Sequence, residues 1–552
     1  MKLKDKIIKN RVGILVIIGV LLVVTIIIGI SYAYFFNIEI KNNNTISGNI
    51  NTKYYVFESS GNSTLTLTIN QSDLDMANAS NDYSSFVSGN GGNINVSLNT
   101  NGLKKVYCSY DLVYEPVSAY TTSSGAVSAG LKEFTLSGTS DKGNSFSEID
   151  VSGSSAVTLI SRIKIFTDTN ILENWSFTAK YYNLDVIQDD VVGKTFKGNI
   201  KVANTNCSFN EPVRIGYEAI LLDNGNGAKT VEEAKSQIES KTVPDFSTRT
   251  TASDKGMYSA KDDLGTSYYF RGAVDNNWVK FGKDSSNKDI YWRIIRINGD
   301  GSIRMIYTGT TAPTESTKVV MTGTGTQINA TTYVFNSSGD KAEYVGYMYT
   351  LGEQHGNSTP STIKTTIENW YAGTTLETDI ATKKLVSQDQ IFCNDRSASS
   401  TQTAAWTSTG ADYYYGAYGR LSGRLSSKRE PILTCPEESD KFTSKESSIG
   451  NGALTYPVGL ITADEVAMAG GKSGSNDENI SYYLYTKQEY WMASPGNFRS
   501  GGNAFELFVH FSGALYYGSV NINFGARPVV SLSSKAKLSG SGRYNDVYTV
   551  VS

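Results

Sequence analysis

The apolar residues of the chain first form one long uninterrupted run near the N-terminus. The run from Val12 to Ile30 contains nineteen residues without a charge, and Lys and Arg dominate the residues before it. A helix of this length spans about 28 Å, close to the thickness of the hydrocarbon core of a bilayer. The pattern predicts a transmembrane helix over 12–36, a basic cytoplasmic tail over 1–11, and an extracellular body after it. A cleaved signal peptide is the alternative, because Ser31 and Ala33 are small residues that suit a cleavage site.

After this run, apolar residues alternate with Thr, Ser and Asn in short stretches. A period of two is typical of half-buried β-strands, whereas an amphipathic helix has a period of 3.6. Gly- and Ser-rich segments separate the stretches and suit turns. We therefore predict an all-β sandwich domain over 37–215, based on the alternating segments 64–69, 93–100, 158–166 and 174–184.

A helical pattern follows at 231–240. Thr230 and Glu233 have the spacing of a capping box, in which each side chain bonds the backbone amide of the other residue. Polar sequence with Pro244 comes after it. We predict that 216–255 is a helical connector between two large domains.

The region 256–552 mixes strand and helix patterns. The turn Asn298–Gly301 separates two strand-like runs and predicts a β-hairpin. One helix is predicted to begin near Pro360 and end at Gly373. Another is predicted to begin at Thr462, with a capping box that closes at Glu465. These patterns together favour an α+β domain.

Composition and charge narrow the classes of function. The net charge is −3, so no basic surface is expected to bind nucleic acid. The two histidines, His355 and His510, are far apart in sequence, and the chain has no nucleotide-binding, hydrolase or zinc-protease motif. We expect no catalytic residue, no metal site and no cofactor, and hence no enzyme. Composition alone leaves a Ser-His-Asp triad open, because both histidines remain.

The cysteines bear on the compartment. Cys108 and Cys207 lie in the first large domain, and Cys393 and Cys435 lie in the last. Four cysteines allow three pairings, and we predict one disulfide within each domain, which an oxidising exterior permits. Free thiols are the alternative. The absence of a CxxC pair argues against a zinc ribbon.

Six runs in the C-terminal region carry a family resemblance. In this order they resemble a large family of uncharacterised, membrane-anchored surface proteins of Firmicutes: YYFRGAVDNNWVKF, YWRIIRINGDGSIRMIY, IFCNDRS, LTYPVGLITADEVAMAGG, YYLY and FGARPVVSL. The resemblance implies a C-type-lectin-like domain over 256–552, of the branch that includes the formylglycine-generating enzyme. It also implies that five residues mark the fold, namely Trp292, Trp491, Gly525, Arg527 and Pro528.

Two consequences of the resemblance concern function. The active oxidase of this branch binds copper through late cysteines, and no cysteine follows Cys435, which argues against that activity. The variable proteins of diversity-generating retroelements form a narrower set with the same scaffold. The segment Asn497–Asn523 is rich in Asn, Tyr, Ser and Gly, as in those proteins. Such a protein has an exposed binding face near its C-terminus.

The strand pattern at 504–511 indicates which residues form that face. Phe505, Leu507 and Val509 are expected to point inward, so the residues between them are expected to point outward. Tyr and Asn give broad contact and adaptable hydrogen bonds. An ordinary polar sheet surface is the alternative, and the apolar Phe508 indicates either a contact patch or a second buried face. The predicted ligand-binding residues are Glu506, Phe508, His510, Tyr516, Ser519, Asn521 and Asn523.

Two hypotheses for function follow. The first is a single-pass cell-surface binding or adhesion protein, with the sandwich as a stalk and the C-terminal domain as a head for an extracellular protein or glycan. The second is a structural surface or matrix protein without a specific ligand. The second draws on the sandwich pattern, which resembles that of biofilm-fibre surface proteins.

Overall fold

The computed structural model covers most of the chain after the predicted membrane helix. That helix, over 12–36, lies outside the described residues, and no helix within them is long and apolar enough to cross a bilayer. The chain divides into two compact units, 1–210 and 211–552. The described residues are 39–41, 45–50, 53–60, 64–68, 86–99, 106–117, 123–129, 131–167, 171–182, 184, 186, 188, 195–208, 213–251, 254–422, 429–474 and 479–551.

The N-terminal unit is built from two antiparallel sheets and one short helix, α1 (Ser124–Ala129). The first sheet has seven strands, in the order β1 (Glu39–Lys41), β2 (Thr45–Ile50), β3 (Lys53–Ser60), β5 (Phe86–Asn99), β10 (Ile171–Tyr182), β7 (Phe134–Ser140) and β8 (Ser145–Asp150). The second has four, in the order β4 (Thr64–Thr68), β11 (Thr195–Ser208), β6 (Val106–Pro116) and β9 (Val157–Thr167).

The two sheets share one hydrophobic core. Alternate residues of β5, Ile94, Val96 and Leu98, are fully buried, and residues of β6 such as Tyr110 and Leu112 complete the same core from the other sheet. The period-two pattern therefore places one face of each sheet inside. The predicted all-β sandwich is confirmed for the described part of this unit.

Both predicted disulfides are present. Cys108 of β6 lies directly opposite Cys207 of β11, and the two are bonded. In the C-terminal unit Cys393 is bonded to Cys435, 42 residues later. Each bridge closes within one unit, as the sequence predicts.

The C-terminal unit contains a large mixed sheet. A parallel contact between β15 and β32 joins its antiparallel parts, and the hairpin β16–β17 has the predicted turn at Asn298–Gly301. The strands are β12 (Arg214–Ile215), β13 (Gly256–Asp262), β14 (Gly265–Arg271), β15 (Trp278–Lys283), β16 (Asp289–Ile297), β17 (Ile303–Gly309), β30 (Val529–Leu532), β31 (Lys537–Ser539) and β32 (Tyr548–Val551).

Smaller sheets and helices complete this unit. The four-stranded sheet has the order β22 (Tyr413–Tyr414), β26 (Tyr490–Arg499), β27 (Asn503–Val509) and β28 (Leu515–Ser519). Four strand pairs are β18 (Tyr333–Val334) with β29 (Asn523–Phe524), β19 (Met348–Tyr349) with β20 (Thr359–Pro360), β21 (Phe392–Cys393) with β23 (Lys441–Phe442), and β24 (Glu446–Ser447) with β25 (Gly450–Asn451). The α-helices are α2 (Gly216–Asn224), α3 (Val231–Glu239), α4 (Thr362–Ala372), α5 (Thr375–Thr378), α6 (Ile380–Lys383), α7 (Gly416–Leu421) and α8 (Ala463–Ala469).

The helix signals in the sequence are accurate locally. Helix α3 begins after the predicted capping box at Thr230, and α8 begins after the one at Thr462. Helix α4 is capped by Ser361, one residue after the predicted start at Pro360. Short-range hydrogen bonds decide where each of these helices begins.

The segment 216–255 differs from the prediction of a separate connector. Ile220, Ala234 and Ile238 are buried in the same core as Trp292 of β16. The segment is therefore part of the C-terminal unit, because its helices bury their apolar faces against that unit.

The residues predicted to mark the fold have structural roles. Trp292 and Trp491 are fully buried. The buried Arg527 guanidinium donates hydrogen bonds to the carbonyl oxygens of Tyr307 at 3.0 Å and Leu484 at 3.3 Å. A Cβ atom on Gly525 would lie 2.0 Å from the end of the Gln327 side chain, so a larger residue there requires Gln327 to move. The carbonyl oxygen of Pro528, the last residue of this motif, accepts a hydrogen bond from the Tyr307 amide at 2.8 Å.

Candidate binding site

The predicted ligand-binding residues lie on, or just after, the four-stranded sheet of the C-terminal unit. In an antiparallel sheet, residues directly opposite each other point to the same face. Trp491, Phe508 and Tyr516 form one such row across β26, β27 and β28. We call the face that holds this row the Phe508 face. It was predicted to be open to a ligand.

Most of the Phe508 face is covered, which corrects the prediction for two residues. Phe508 is 5% exposed and stacks on Phe524 with 4.0 Å between ring centroids, and Glu506 is 0% exposed. Phe335, from the segment before β19, packs on Trp491 of the same face. The segment containing Phe335 lies far away in sequence, so the strand pattern of β27 could not indicate this cover. The alternative of a second buried face applies to Phe508.

Glu506 is a buried acid without a well-formed hydrogen bond, although the Ser494 amide and the Arg396 guanidinium lie near it. Neither carboxylate oxygen has a hydrogen-bond partner among the described residues. Burial raises the pKa of Glu506 well above its usual 4.5, and the nearby Ser494 amide and Arg396 guanidinium oppose this only in part. The fold therefore favours the neutral, protonated form of this side chain. Because it is fully buried, Glu506 is not placed to touch a ligand.

One end of the Phe508 face remains open. Phe511, in the turn between β27 and β28, is 54% exposed, and its ring lies 3.8 Å from the His510 ring. The His510 ring in turn lies 4.6 Å from the Tyr516 ring. Ile522, in the loop after β28, is 42% exposed and reaches over Gly518, next to the buried Phe508. We call His510, Phe511, Tyr516 and Ile522 the aromatic ridge.

His510 is held in the turn by local hydrogen bonds. Its Nδ1 lies 2.8 Å from the Ser512 Oγ and accepts from the Ser512 backbone amide at 3.3 Å. Its Nε2 lies 3.7 Å from a Glu489 oxygen. Burial lowers the pKa of His510 and raises the pKa of Glu489. Because the Ser512 amide donates to Nδ1, this nitrogen is an acceptor, and both polar groups of Ser512 hold the ring in the turn.

The other histidine is also bound structurally. The Nδ1 of His355 lies 3.0 Å from Asp440, a buried carboxylate that also binds the guanidinium of Arg396 at 2.5 Å. Among the described residues no hydroxyl group bonds to the Nε2 of His355. This geometry anchors Asp440 and does not assemble a nucleophile with a base.

The remaining predicted residues follow β28. Ser519 lies opposite Phe505 and thus on the other face of the sheet, where its hydroxyl donates to Asn521 at 2.7 Å. Asn521 and Asn523 are exposed. The structure therefore brings His510 and Tyr516 together on the Phe508 face and leaves the two asparagines accessible. Ser519 lies on the other face from His510 and Tyr516 and is bonded to Asn521.

The opposite face of the sheet carries a second group of aromatic residues. Tyr517 contacts Tyr418 of α7 and Phe505 of β27, each with 5.5 Å between ring centroids. Tyr414 stacks on Tyr418, and the exposed Arg499 lies 5.1 Å above the Phe505 ring. We call Tyr414, Tyr418, Arg499, Phe505 and Tyr517 the tyrosine face. Tyr414, Phe505 and Tyr517 are half-buried.

A cleft elsewhere in this unit is lined by charged side chains. Arg420 binds Asp395 at 2.9 Å and Asp464 at 3.0 Å, so these lining groups satisfy one another. The other charged residues of the lining are Asp262, Asp263, Arg296, Arg304 and Glu465, all of them in ion pairs. These ion pairs join the walls of the cleft to one another.

Within the described residues no group of three or more His, Cys, Asp or Glu side chains could hold a metal ion. The chain matches no model of a known protein family, no curated protein and no solved structure. The geometry of the site is therefore what carries the functional argument.

Sequence reasoning missed two exposed apolar residues of the site. The pattern at 504–511 included Phe511 in the strand, whereas β27 ends at Val509 and Phe511 lies in the turn after it; Ile522 lies in a loop. A large apolar residue within a Ser-Gly turn was the available signal, since turns are usually polar. Arg499 also donates a hydrogen bond to the Tyr517 hydroxyl at 3.1 Å, and no signal in the sequence indicated this contact.

Proposed function

We propose that this chain is a cell-surface ligand-binding or adhesion protein whose C-terminal unit contacts its ligand through the aromatic ridge. The observation that carries the proposal is an exposed ring, Phe511, stacked on the side chain of His510 and joined through it to Tyr516. An extracellular protein or glycan is the proposed class of ligand.

The support for the ridge is energetic. Binding energy concentrates in a few aromatic side chains that are held rigidly and can be desolvated completely. Tyr516 packs against the buried Phe508, which stacks on Phe524, and Phe524 packs on the fully buried Trp491. The exposed rings thus extend from the core and have little side-chain freedom to lose when a ligand binds.

The proposed location outside the cell draws on two features. The uncharged run at 12–30 and its basic flank favour an anchored, single-pass topology with the body outside. Both disulfides agree with an oxidising compartment.

The proposed scaffold is the C-type-lectin-like fold that the resemblance implies for 256–552. A diversified segment at 497–523 belongs to the same proposal. Helices set against short antiparallel strands, and the buried Arg527, are compatible with it. This segment includes the ridge residues at 510, 511, 516 and 522, so variation there would change the ligand without changing the core.

The alternative is a fibre-forming structural protein. Two edge strands of the N-terminal unit argue against it. Exposed flat edges promote pairing between molecules, whereas bulges and charges on them prevent it. The edge strand β9 is irregular at Arg162, with a φ of 55°, and carries the exposed Lys164. The edge strand β8 is irregular at Glu148, with a φ of 50°.

The test is binding of the purified full-length chain, in detergent, to printed panels of glycans and extracellular proteins. We expect saturable binding to at least one component, and F511A and Y516A should each weaken it at least about tenfold. The matched control is L351A, because Leu351 is also 54% exposed but lies on a separate loop. Equal loss in L351A, or unchanged binding in both ridge variants, would contradict the role of the ridge. Fibres formed by the wild-type chain without any saturable binding would instead support the structural alternative.

A further inference from the structure

The tyrosine face has features of a contact surface that are independent of the aromatic ridge. The strand register aligns Tyr414, Asn497, Phe505 and Ser519 in one row across all four strands. Side chains in such a row point to the same side. The row therefore presents aromatic rings and small polar groups together on one side of the sheet.

The ring geometry favours a polypeptide as the partner at this face. The Tyr517 ring is nearly perpendicular to the Phe505 ring, at 85°, and to the Tyr418 ring, at 86°. Rings in edge-to-face contact form ridges and grooves. Side chains of another protein fit between such ridges, and Tyr, Phe and Arg are enriched at protein interfaces.

The charges at one end of the face suit a second copy of the same chain. Extending the register of β22 and β26 by one residue places Asp412 opposite Arg499. Asp412 accepts a bond from the Ser500 amide at 2.8 Å, and both Asp412 and Arg499 are exposed. One positive and one negative group side by side make the face self-complementary, which a two-fold contact requires.

We propose that the tyrosine face is the contact surface between two copies of this chain in a two-fold dimer. In it, Arg499 of each copy pairs with Asp412 of the other, and the rings of Tyr414, Phe505 and Tyr517 pack across the axis. Dimer formation leaves the aromatic ridge free, because the ridge lies on the opposite face of the sheet.

The experiment uses two differently tagged copies of the full-length chain expressed in one cell. The membranes are solubilised in detergent, one tag is captured, and the amount of the second tag is measured. Light scattering then gives the mass of the purified wild-type chain. We expect co-capture and a dimer mass for the wild type.

Charge reversal tests the specific contact. R499E and D412R should each lower co-capture at least about tenfold, because like charges then face each other across the axis. The double variant R499E/D412R should restore co-capture to within about twofold of the wild type, since opposite charges face each other again. K288E is the control, because Lys288 is exposed on the turn after β15 and undergoes the same change of charge.

Several results would overturn the dimer. They are a monomeric wild type, unchanged co-capture in both single variants, and failure of the double variant to restore it. Association through the predicted membrane helix would give the second of these results. Tryptophan fluorescence of each variant shows whether it is folded, and D412R changes only an exposed residue. R499E should still bind the ligand, and F511A should still form the dimer. These two results separate this inference from the proposed function.

Discussion

Replacing Glu465 by glutamine is expected to lower the free energy of unfolding of the C-terminal unit by about 3–5 kcal/mol. Glu465 binds the guanidinium of Arg304 at 2.6 Å and that of Arg296 at 3.0 Å. The side chains of Glu465 and Arg304 are 3% and 1% exposed. Removing the carboxylate leaves Arg304 as a buried charge without an anionic partner, and that is the source of the loss.

Helix α8 adds a second contribution to this loss. The other oxygen of Glu465 accepts a bond from the Thr462 amide at 3.0 Å, which completes the capping box. A glutamine can accept that bond with its own oxygen, so E465Q separates the effect of the charge from the effect of the cap. E465A should lower stability further, by about 1 kcal/mol, because the cap is also lost.

Chemical denaturation followed by tryptophan fluorescence provides the measurement. Five of the six tryptophans of the chain lie in 211–552, so the signal reports mainly on this unit. The matched control is E438Q, because Glu438 binds Lys441 at 2.6 Å but is 77% exposed. That change should cost less than about 1 kcal/mol. An equally small effect of E465Q would mean that the buried network does not depend on this carboxylate.

The ion pairs of Glu465 with Arg304 and Arg296 also predict that the stability of the C-terminal unit falls in acid. Burial tends to raise the pKa of Glu465, but Arg304 and Arg296 outweigh it, and the pKa is lowered below the usual 4.5. A group whose pKa is lowered on folding stabilises the fold above its unfolded pKa. This stability is lost as the pH falls from about 4.5 through the lower folded value. E465Q should lack that acid-dependent loss.

Replacing Glu506 by glutamine is expected to have the opposite effect and to stabilise the C-terminal unit, by about 1–3 kcal/mol at neutral pH. Glu506 is fully buried, and neither carboxylate oxygen has a partner among the described residues. Glutamine has nearly the same shape as glutamate but no charge. At neutral pH the wild type must either bury an anion or keep a proton on Glu506, and E506Q avoids the free-energy cost of both.

The sign of the pH dependence follows from the raised pKa of Glu506. The folded state binds the proton more tightly than the unfolded state, so this group contributes its full stability below the unfolded pKa of about 4.5. The contribution declines as the pH rises from there toward the folded pKa. Wild type and E506Q should therefore have similar stabilities near pH 4 and diverge steadily above it.

The measurement is the unfolding free energy of both proteins between about pH 4 and 8, by the same fluorescence method. A constant difference at every pH would show that glutamine changes packing and not ionisation. A wild type more stable than E506Q at neutral pH would show that the carboxylate has a partner in the folded protein.

The alternating segments and helix caps could be predicted because their causes are local. Period-two alternation gave the strands of the sandwich, and the Thr230 and Thr462 capping boxes gave the starts of two helices. Each depends on contacts within a few residues. The placement of 216–255 was not local, since the partners of Ile220 and Ile238 lie in the C-terminal core.

The candidate site shows the same division. Alternation correctly put Glu506 and Phe508 on the opposite face from Phe505, but it could not show that distant chain covers them. The exposed part of the site is formed by a turn, which has no period to recognise. His510 and Tyr516 were found because they follow the same strand face to its open end.

The sequence by itself determined the elements: a long apolar run, alternating strands, capped helices and two cysteine pairs, one in each half of the chain. These follow from periodicity, hydrogen bonds between near neighbours, and the order of residues along the chain. Only the tertiary structure decided which sheet faces are covered, which glutamate is paired and which is alone, and where rings reach the surface. Those outcomes depend on residues that are far apart in sequence and meet only when the core is packed.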